Sequence, residues 1–249
     1  MLRKLSYLSD LGVNAIQVMP SDEFPGTLSW GYNPANIFAI QDHYGGPNGF
    51  SRLVDAAHAH SLTVIYDVVY NHLGPDDLDL WQFDGWSQDG RGGVYFYNDW
   101  RRQTPWGDTR PDYGRGEVRQ YLRDNAPYWV LQQRCDGLRF DAANWIRSAK
   151  GADNDPGADL PDGRALLAWI NTEIADRQPW KLTIAEDMYD NPTITGAVGS
   201  GGIGFSAQWA SRFLHGVRDA IVSSDDSQRD MQRLARSSPK GSTTMPSNA

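Results

Sequence analysis

The chain has 249 residues, one cysteine and a formal net charge of −8, a length that suits one large domain or two small ones. Its acidic balance argues against a nucleic-acid partner, because binding to a phosphate backbone depends on patches of Lys and Arg. The lone cysteine excludes an internal disulfide, which fits a reducing compartment. The sequence shows no signal peptide and no apolar run near the ~20 residues that cross a bilayer. We therefore expect a cytoplasmic protein without a membrane partner.

Helical and strand-like segments alternate along residues 1–222, which we predict to form one domain. Apolar residues at helical spacing predict helices over 2–12, 48–61, 116–134, 163–177 and 211–224, with a kink or break at Pro127. Short apolar runs predict strands over 13–20, 62–70, 136–142, 180–187 and, less clearly, 203–210. A long loop is inserted at about 71–114, and residues 223–249 read as a polar, disordered tail with at most one short helix.

This alternation predicts βαβ units and an α/β fold with a parallel sheet covered on both faces. Doubly wound sheets and (β/α)-barrels both satisfy that pattern. No GxGxxG follows a strand and no GxxxxGK[ST] occurs, which disfavours the nucleotide-binding folds. Polar residues end several strands, as the active residues of a barrel do.

The candidate chemistry lies at three of these strand ends. Asp67 stands near the end of one strand, Arg139 and Asp141 share a face of the next, and Glu186 ends another. Two carboxylates of different protonation suit glycoside hydrolysis, and a neighbouring arginine would hold the pKa of one carboxylate down. The alternative is that each charge simply begins a solvated loop or caps a helix.

Three segments, "DVVYNHLG", "GLRFDAAN" and "TIAED", resemble in order the first three conserved blocks of the α-amylase superfamily. "LSWGYNPANIFAIQDHYGG" and "GFSAQW" also look like the glycogen-branching and trehalohydrolase-like members. The resemblance implies a partial (β/α)8 TIM-type barrel, with about strands 2 to 6 present and the first and last missing. The implied substrate is an α-1,4-glucan or maltooligosaccharide, cleaved or transferred with retention.

The same resemblance assigns roles to individual residues. It implies Asp141 as the nucleophile and Glu186 as the general acid/base. Its substrate-binding set comprises an arginine that orients the nucleophile, two residues that contact the sugar and a tyrosine that stacks on it: Arg139, Asp67, His72 and Tyr32. Tyr32 could instead be a plain core aromatic. Some members bind calcium, but Ala and Asn replace the usual Lys-His pair after the nucleophile, so neither a metal nor any other cofactor is predicted.

The chain departs from the family in one respect. The third carboxylate, an aspartate after a histidine at a later strand, has no counterpart, since His215 is followed by Gly216. We therefore expect a segment of a larger catalytic domain that is impaired alone. A non-catalytic glucan-binding protein and an inactive fragment remain alternatives. The long loop carries aromatic residues that could form either a glucan-binding wall or a small core of their own: Trp81, Trp86, Tyr95, Tyr97, Trp100 and Trp106.

Overall fold

The computed structural model describes residues 1–74 and 78–237. Its strands are β1 (Ala15–Val18), β2 (Asp22–Glu23), β3 (Asn36–Ile40), β4 (Thr63–Val68), β5 (Gly137–Phe140), β6 (Leu182–Ala185) and β7 (Ala207–Gln208). Its α-helices are α1 (Leu5–Asp10), α2 (Gly46–Ala59), α3 (Gly116–Pro127), α4 (Ala143–Arg147), α5 (Pro161–Arg177), α6 (Ser211–Val222) and α7 (Met231–Ser237).

The main sheet has five parallel strands paired in the order β1-β4-β5-β6-β7, which is also their order along this part of the chain. β5 is buried along its whole length and β4 along all but its first residue, as expected for central strands of a parallel sheet. The predicted α/β fold is confirmed, and its consecutive parallel strands form part of a (β/α)-barrel.

The predicted helices are confirmed within a few residues at their ends. The first ends before Gly12, whose φ of +87° is a left-handed value that glycine adopts without strain. At Pro127 the regular α-helix gives way to a π-helical turn, Tyr128–Gln132. That turn places Trp129 on Tyr66 of β4, with ring centroids 3.7 Å apart, in the centre of the core.

Three elements were missed by the sequence prediction. Two of them, β2 and β3, pair in a separate antiparallel sheet with an irregular register. Helix α4 follows β5 directly, and with only five residues it is too short to show a helical period.

The long loop from 71 to 114 contains turns, isolated bridges and one 3₁₀ turn, Trp100–Arg102, over the part that the structure describes. Residues 75–77 of this loop lie outside the described residues. In the segment predicted as a tail, α7 is the one short helix that follows a 3₁₀ turn at 226–228. The prediction of disorder for the remainder falls on 238–249, which are also outside the described residues. None of the described helices is long and apolar enough to cross a membrane.

Candidate active site

The carboxyl ends of β4, β5 and β6 bring the predicted strand-end residues together. Asp67 pairs in register with Arg139, and Asp141 and Glu186 are the residues that directly follow β5 and β6. Backbone bonds continue the pairing past the strand ends, since Asp141 N donates to Val68 O over 2.9 Å and Glu186 N to Phe140 O over 3.0 Å. Parallel strands end at one edge of the sheet, so these side chains converge there.

The guanidinium of Arg139 is the centre of the cluster. Its Nη1 donates to Asp67 Oδ1 over 2.6 Å, to Asp67 Oδ2 over 2.8 Å and to Asp141 Oδ1 over 2.8 Å. Its Nη2 lies 2.6 Å from Glu186 Oε2. Asp67 is 0% exposed and Arg139 3% exposed, whereas Asp141 and Glu186 lie nearer the open edge. One cation therefore holds three carboxylates.

Because one guanidinium serves three carboxylates, the cluster carries excess negative charge when all three are ionised. Burial raises the pKa of Asp67 to about 6 despite its contacts with Arg139 and Tyr32, and the charge of Asp141 adds to this rise. Burial likewise raises the pKa of Glu186, with Asp141 adding to the rise and Arg139 opposing it. Although burial disfavours the charge of Arg139, the carboxylates hold its pKa above the usual value. The cluster is therefore suited to retaining a proton that isolated carboxyls would lose.

Glu186 is also held by a strained backbone position. Ala142, which follows Asp141, has φ +40° and ψ +51°, a left-handed conformation that is uncommon for a residue with a Cβ. In this conformation its N–H donates to Glu186 Oε2 over 2.8 Å. Strain of this kind persists where the surroundings fix it, and here it links the segments after β5 and β6.

Tyr32 and His72 border the same cluster. The Tyr32 hydroxyl donates to Asp67 Oδ2 over 2.8 Å, and burial followed by the charge of Asp67 raises the pKa of Tyr32. The turn before it needs Gly31, because φ is +90° and a Cβ would lie 1.9 Å from the carbonyl oxygen of Pro20. All six sequence-predicted site residues therefore lie in one connected network.

His72 is linked to the cluster through Asn71. Its two ring nitrogens face the side-chain oxygen of Asn71 and, over 2.9 Å, the carbonyl oxygen of Tyr32. Burial lowers the pKa of His72. Asn71 Nδ2 in turn donates to Asp141 O and Asp141 Oδ2, both over 2.8 Å. His72 thus helps to orient the amide that holds Asp141.

Sequence reasoning missed three side chains that touch the network. Asn71 is a direct partner of Asp141. Gln17 Nε2 donates to Asp67 Oδ2 over 3.4 Å, and the ring of Trp209 lies 4.5 Å from the Arg139 guanidinium carbon. Gln17 shows the same sequence feature as Arg139, because each is a polar residue inside a short apolar strand. Trp209 sits in the resemblance segment "GFSAQW" and could have been found there.

The loop aromatics divide between the two interpretations. Tyr97 is fully buried and packs edge to face on Tyr113, which supports a small core of the loop's own. Trp86, Trp100 and Trp106 are each more than two-fifths exposed. Trp106 lies beside the cluster, stacked on His72 with ring centroids 5.0 Å apart. Among the described residues no group of three or more His, Cys, Asp or Glu side chains could hold a metal ion.

Comparisons with known proteins identify relatives. The family model for the alpha amylase catalytic domain matches residues 1–102. Malto-oligosyltrehalose trehalohydrolase of Saccharolobus solfataricus is 37% identical over 218 residues, covering 87% of this chain and 34% of the relative. The 1,4-alpha-glucan branching enzyme GlgB of Oceanobacillus iheyensis is 34% identical over 216 residues, covering 82% of this chain and 33% of the relative.

A solved structure agrees with these sequence relatives. The crystal structure of a candidate alpha amylase from Salmonella typhimurium matches with a TM-score of 0.69 and 28% identity, over 94% of this chain and 38% of that one. The chain thus spans about a third of the length of the curated relatives it matches.

Parallel βα units with polar side chains gathered at the carboxyl ends of the strands are the arrangement of (β/α)-barrel folds. Among such folds the family match, the relatives and the solved structure agree. The chain is therefore similar to the α-amylase superfamily, by the family model over residues 1–102 and by these relatives over more than four-fifths of its length.

Proposed function

We propose that this chain carries the nucleophile and the general acid/base of a retaining enzyme acting on α-1,4-glucans. The observation that carries the proposal is that Asp141 and Glu186 both contact the guanidinium of Arg139, Asp141 at Nη1 and Glu186 at Nη2. Sharing one cation keeps the two carboxyls close, and retaining enzymes need a separation of about 5–5.5 Å. The names of the relatives, a trehalohydrolase and a branching enzyme, support an α-glucan substrate.

The proposed reaction has two steps. In the first, a carboxylate oxygen of Asp141 attacks the anomeric carbon while the glycosidic C–O bond breaks and the leaving oxygen takes the proton of Glu186. In the second, water or a sugar hydroxyl gives its proton to Glu186 as its oxygen bonds to the anomeric carbon, and the bond to Asp141 breaks. The raised pKa of Glu186 suits the first role, and hydrogen bonds from Arg139 Nη1 and Asn71 Nδ2 hold Asp141 in place for the attack.

The family resemblance assigns Tyr32, Asp67 and His72 to sugar binding, and of these we propose Tyr32 as the residue that contacts the sugar, with Arg139 orienting Asp141. In the structure Asp67 is fully buried, so its proposed role is to hold Arg139 and Tyr32 in place. Tyr32 keeps a half-buried ring beside the cluster, 6.0 Å from the Arg139 guanidinium carbon. That ring is the proposed stacking face.

The test is turnover of maltoheptaose by the purified chain, followed by proton NMR of the anomeric signals. We expect α-configured first products, and loss of turnover in Glu186→Gln and Asp141→Asn. Glu117→Gln makes the same chemical change at an exposed site on α3 and serves as the matched control. A β-configured first product, or turnover that survives Glu186→Gln, would contradict the proposal.

A second candidate is a chain that binds glucan with little turnover. It is favoured because residues 187–237 hold no histidine followed by aspartate, the family's third carboxylate. Losing one group that stabilises the transition state costs about 10²–10³ in kcat without abolishing binding. Calorimetry with maltoheptaose separates the candidates, since heat of binding without product formation supports the second.

A further inference from the structure

A second buried ion pair joins the segments that follow the two proposed catalytic carboxylates. Arg147 is the last residue of α4, the helix that begins two residues after Asp141, and Asp187 directly follows Glu186. Arg147 Nε donates to Asp187 Oδ2 over 2.7 Å, and Nη2 donates to Oδ1 over 3.1 Å. Such a two-point contact fixes orientation as well as distance.

The pair is shielded from water. Asp187 is 0% exposed and Arg147 8% exposed. Arg147 also forms an ion pair with Asp153 of the loop after α4, and Asn191 Nδ2 donates to Asp153 Oδ2 over 3.0 Å. Arg147 therefore ties together the segments after β5 and after β6. Removing its charge leaves Asp187 buried and unpaired, which proteins tolerate poorly.

The opposite end of α4 already touches Glu186. Ala142 N donates to Glu186 Oε2 over 2.8 Å and Ala143 N to Glu186 O over 2.9 Å. The first turn of α4 thus holds Glu186, and its last residue holds Asp187. With both ends fixed, the Glu186–Asp187 dipeptide cannot shift along α4 without breaking one set of contacts.

We propose that Arg147 is a positioning residue that holds Glu186 at its working distance from Asp141 through the Arg147–Asp187 pair. The catalytic consequence rests on the proposed function, but the position of Glu186 does not. Arg147 acts through Asp187, so its loss affects where the Glu186 carboxyl stands rather than how sugar is bound. We expect kcat to fall while KM changes little.

The position of Glu186 can be followed without turnover, because the chain has four glutamates: Glu23, Glu117, Glu173 and Glu186. Glutamate labelled with ¹³C at the carboxyl gives few NMR signals, and Glu186→Gln assigns the one of interest. Its titration midpoint reports burial together with the charges of Arg139 and Asp141, which act on it directly.

The variants are Arg147→Met, which removes the charge, and Arg147→Lys, which keeps the charge and loses the two-point contact. The matched control is Arg123→Met, which breaks an ion pair between α3 and α5 away from the cluster. In both Arg147 variants we expect the Glu186 midpoint to fall by about half a pH unit or more as water reaches the carboxyl. The control should leave the midpoint unchanged.

If Arg147→Met does not fold, Arg147→Lys decides the question. A Glu186 midpoint equal to the wild-type value in a folded Arg147 variant overturns the proposal, and a displacement of either sign supports it. In the kinetic arm we expect kcat to fall about 10- to 100-fold with KM within about twofold. If Asp141→Asn and Glu186→Gln leave turnover intact, the proposed function fails, while the NMR result still decides whether Arg147 positions Glu186.

Discussion

Nη2 of Arg139 lies 2.6 Å from Oε2 of Glu186, so the cation that holds Asp141 also contacts the proposed acid. The two carboxylates need opposite protonation states, and a shared cation favours the ionised form of both. What separates them is their surroundings: Asn71 Nδ2 donates to Asp141, whereas burial and the charge of Asp141 raise the pKa of Glu186. The proposed assignment of nucleophile and acid therefore rests on these surroundings and not on distance to Arg139.

Arg139→Met should destabilise the chain strongly. The variant leaves Asp67, which is 0% exposed, as a buried carboxyl without its cation. Breaking a buried pair on one side costs about 3–5 kcal/mol in free energy of unfolding. Urea unfolding at pH 7 measures the loss, which should shrink at pH 5, where Asp67 can take up a proton.

Arg177→Met is the control for that variant. Arg177 pairs with Glu173 one turn away on α5; the side chain of Arg177 is 54% exposed, and that of Glu173 is 10% exposed and keeps Arg123 as a second partner. Helical pairs four residues apart contribute about 0.3–0.5 kcal/mol, so little change is expected. Equal losses of unfolding free energy in the two variants would show that the burial of Asp67 does not depend on its ion pair with Arg139.

The cluster should make stability depend on pH between about 4 and 6. The pKa of Asp67 is raised from 3.8 to about 6, so the folded chain binds a proton that the unfolded chain has released. The free energy of unfolding should therefore fall as pH rises through this window, by at most about 3 kcal/mol. Asp67→Asn removes one of the crowded charges and should flatten this slope in denaturant titrations.

The comparison variant is Asp10→Asn, which makes the same change at an exposed residue of α1. Its slope between pH 4 and pH 6 should match the wild-type slope, since other carboxyls titrate in both proteins. A wild-type slope retained in Asp67→Asn would mean that carboxyls other than Asp67 cause the slope in this window.

Asn71→Asp should impair turnover at neutral pH and partly recover it in acid. Asn71 Nδ2 donates to Asp141 Oδ2 over 2.8 Å, and a carboxylate in that place would repel Asp141. A carboxyl beside another carboxylate has a raised pKa. At low pH the protonated carboxyl can donate the lost hydrogen bond, so relative activity should rise between pH 7 and pH 5.

Asn71→Ala separates charge from hydrogen bonding. It loses the donor but adds no carboxyl, so its activity relative to wild type should stay flat over the same pH range. If the relative activity of both variants rose in acid, the pH effect would not come from the introduced carboxyl. It would then come from another group, for example from the network that links Asn71 to His72.

The strand-end cluster was predictable from the sequence because few residues can occupy a buried strand with a charge. Arg139 and Asp141 stood out in "GLRFDAAN" for that reason, and parallel strands had to bring Asp67 and Glu186 to the same edge. The number and order of the main strands followed from the alternation of apolar runs, including the uncertain fifth strand, β7.

What escaped prediction depends on contacts between distant segments. β2 is two residues long, and its pairing with β3 leaves no period-two pattern to read. The Arg147–Asp187 pair joins residues forty positions apart, and either residue alone resembles an ordinary surface charge. The left-handed Ala142 carries no sequence signal, because its neighbours impose that conformation.

Gly163→Ala should destabilise the packing of α5 against α4. A Cβ at this position would lie 1.9 Å from the carbonyl oxygen of Ile146 and 2.9 Å from Cδ2 of Tyr113. The backbone of α4 at Ile146 cannot move away freely, because α4 also carries the contacts to Glu186 and Asp187. Overpacking of a core costs about 1–3 kcal/mol, which outweighs the gain of up to about 1 kcal/mol from replacing a helical glycine.

Gly116→Ala in α3, where a Cβ meets nothing within 4 Å, should instead leave stability equal or higher in urea unfolding. Equal stability of the two variants would mean that α5 can move away from α4 at little cost.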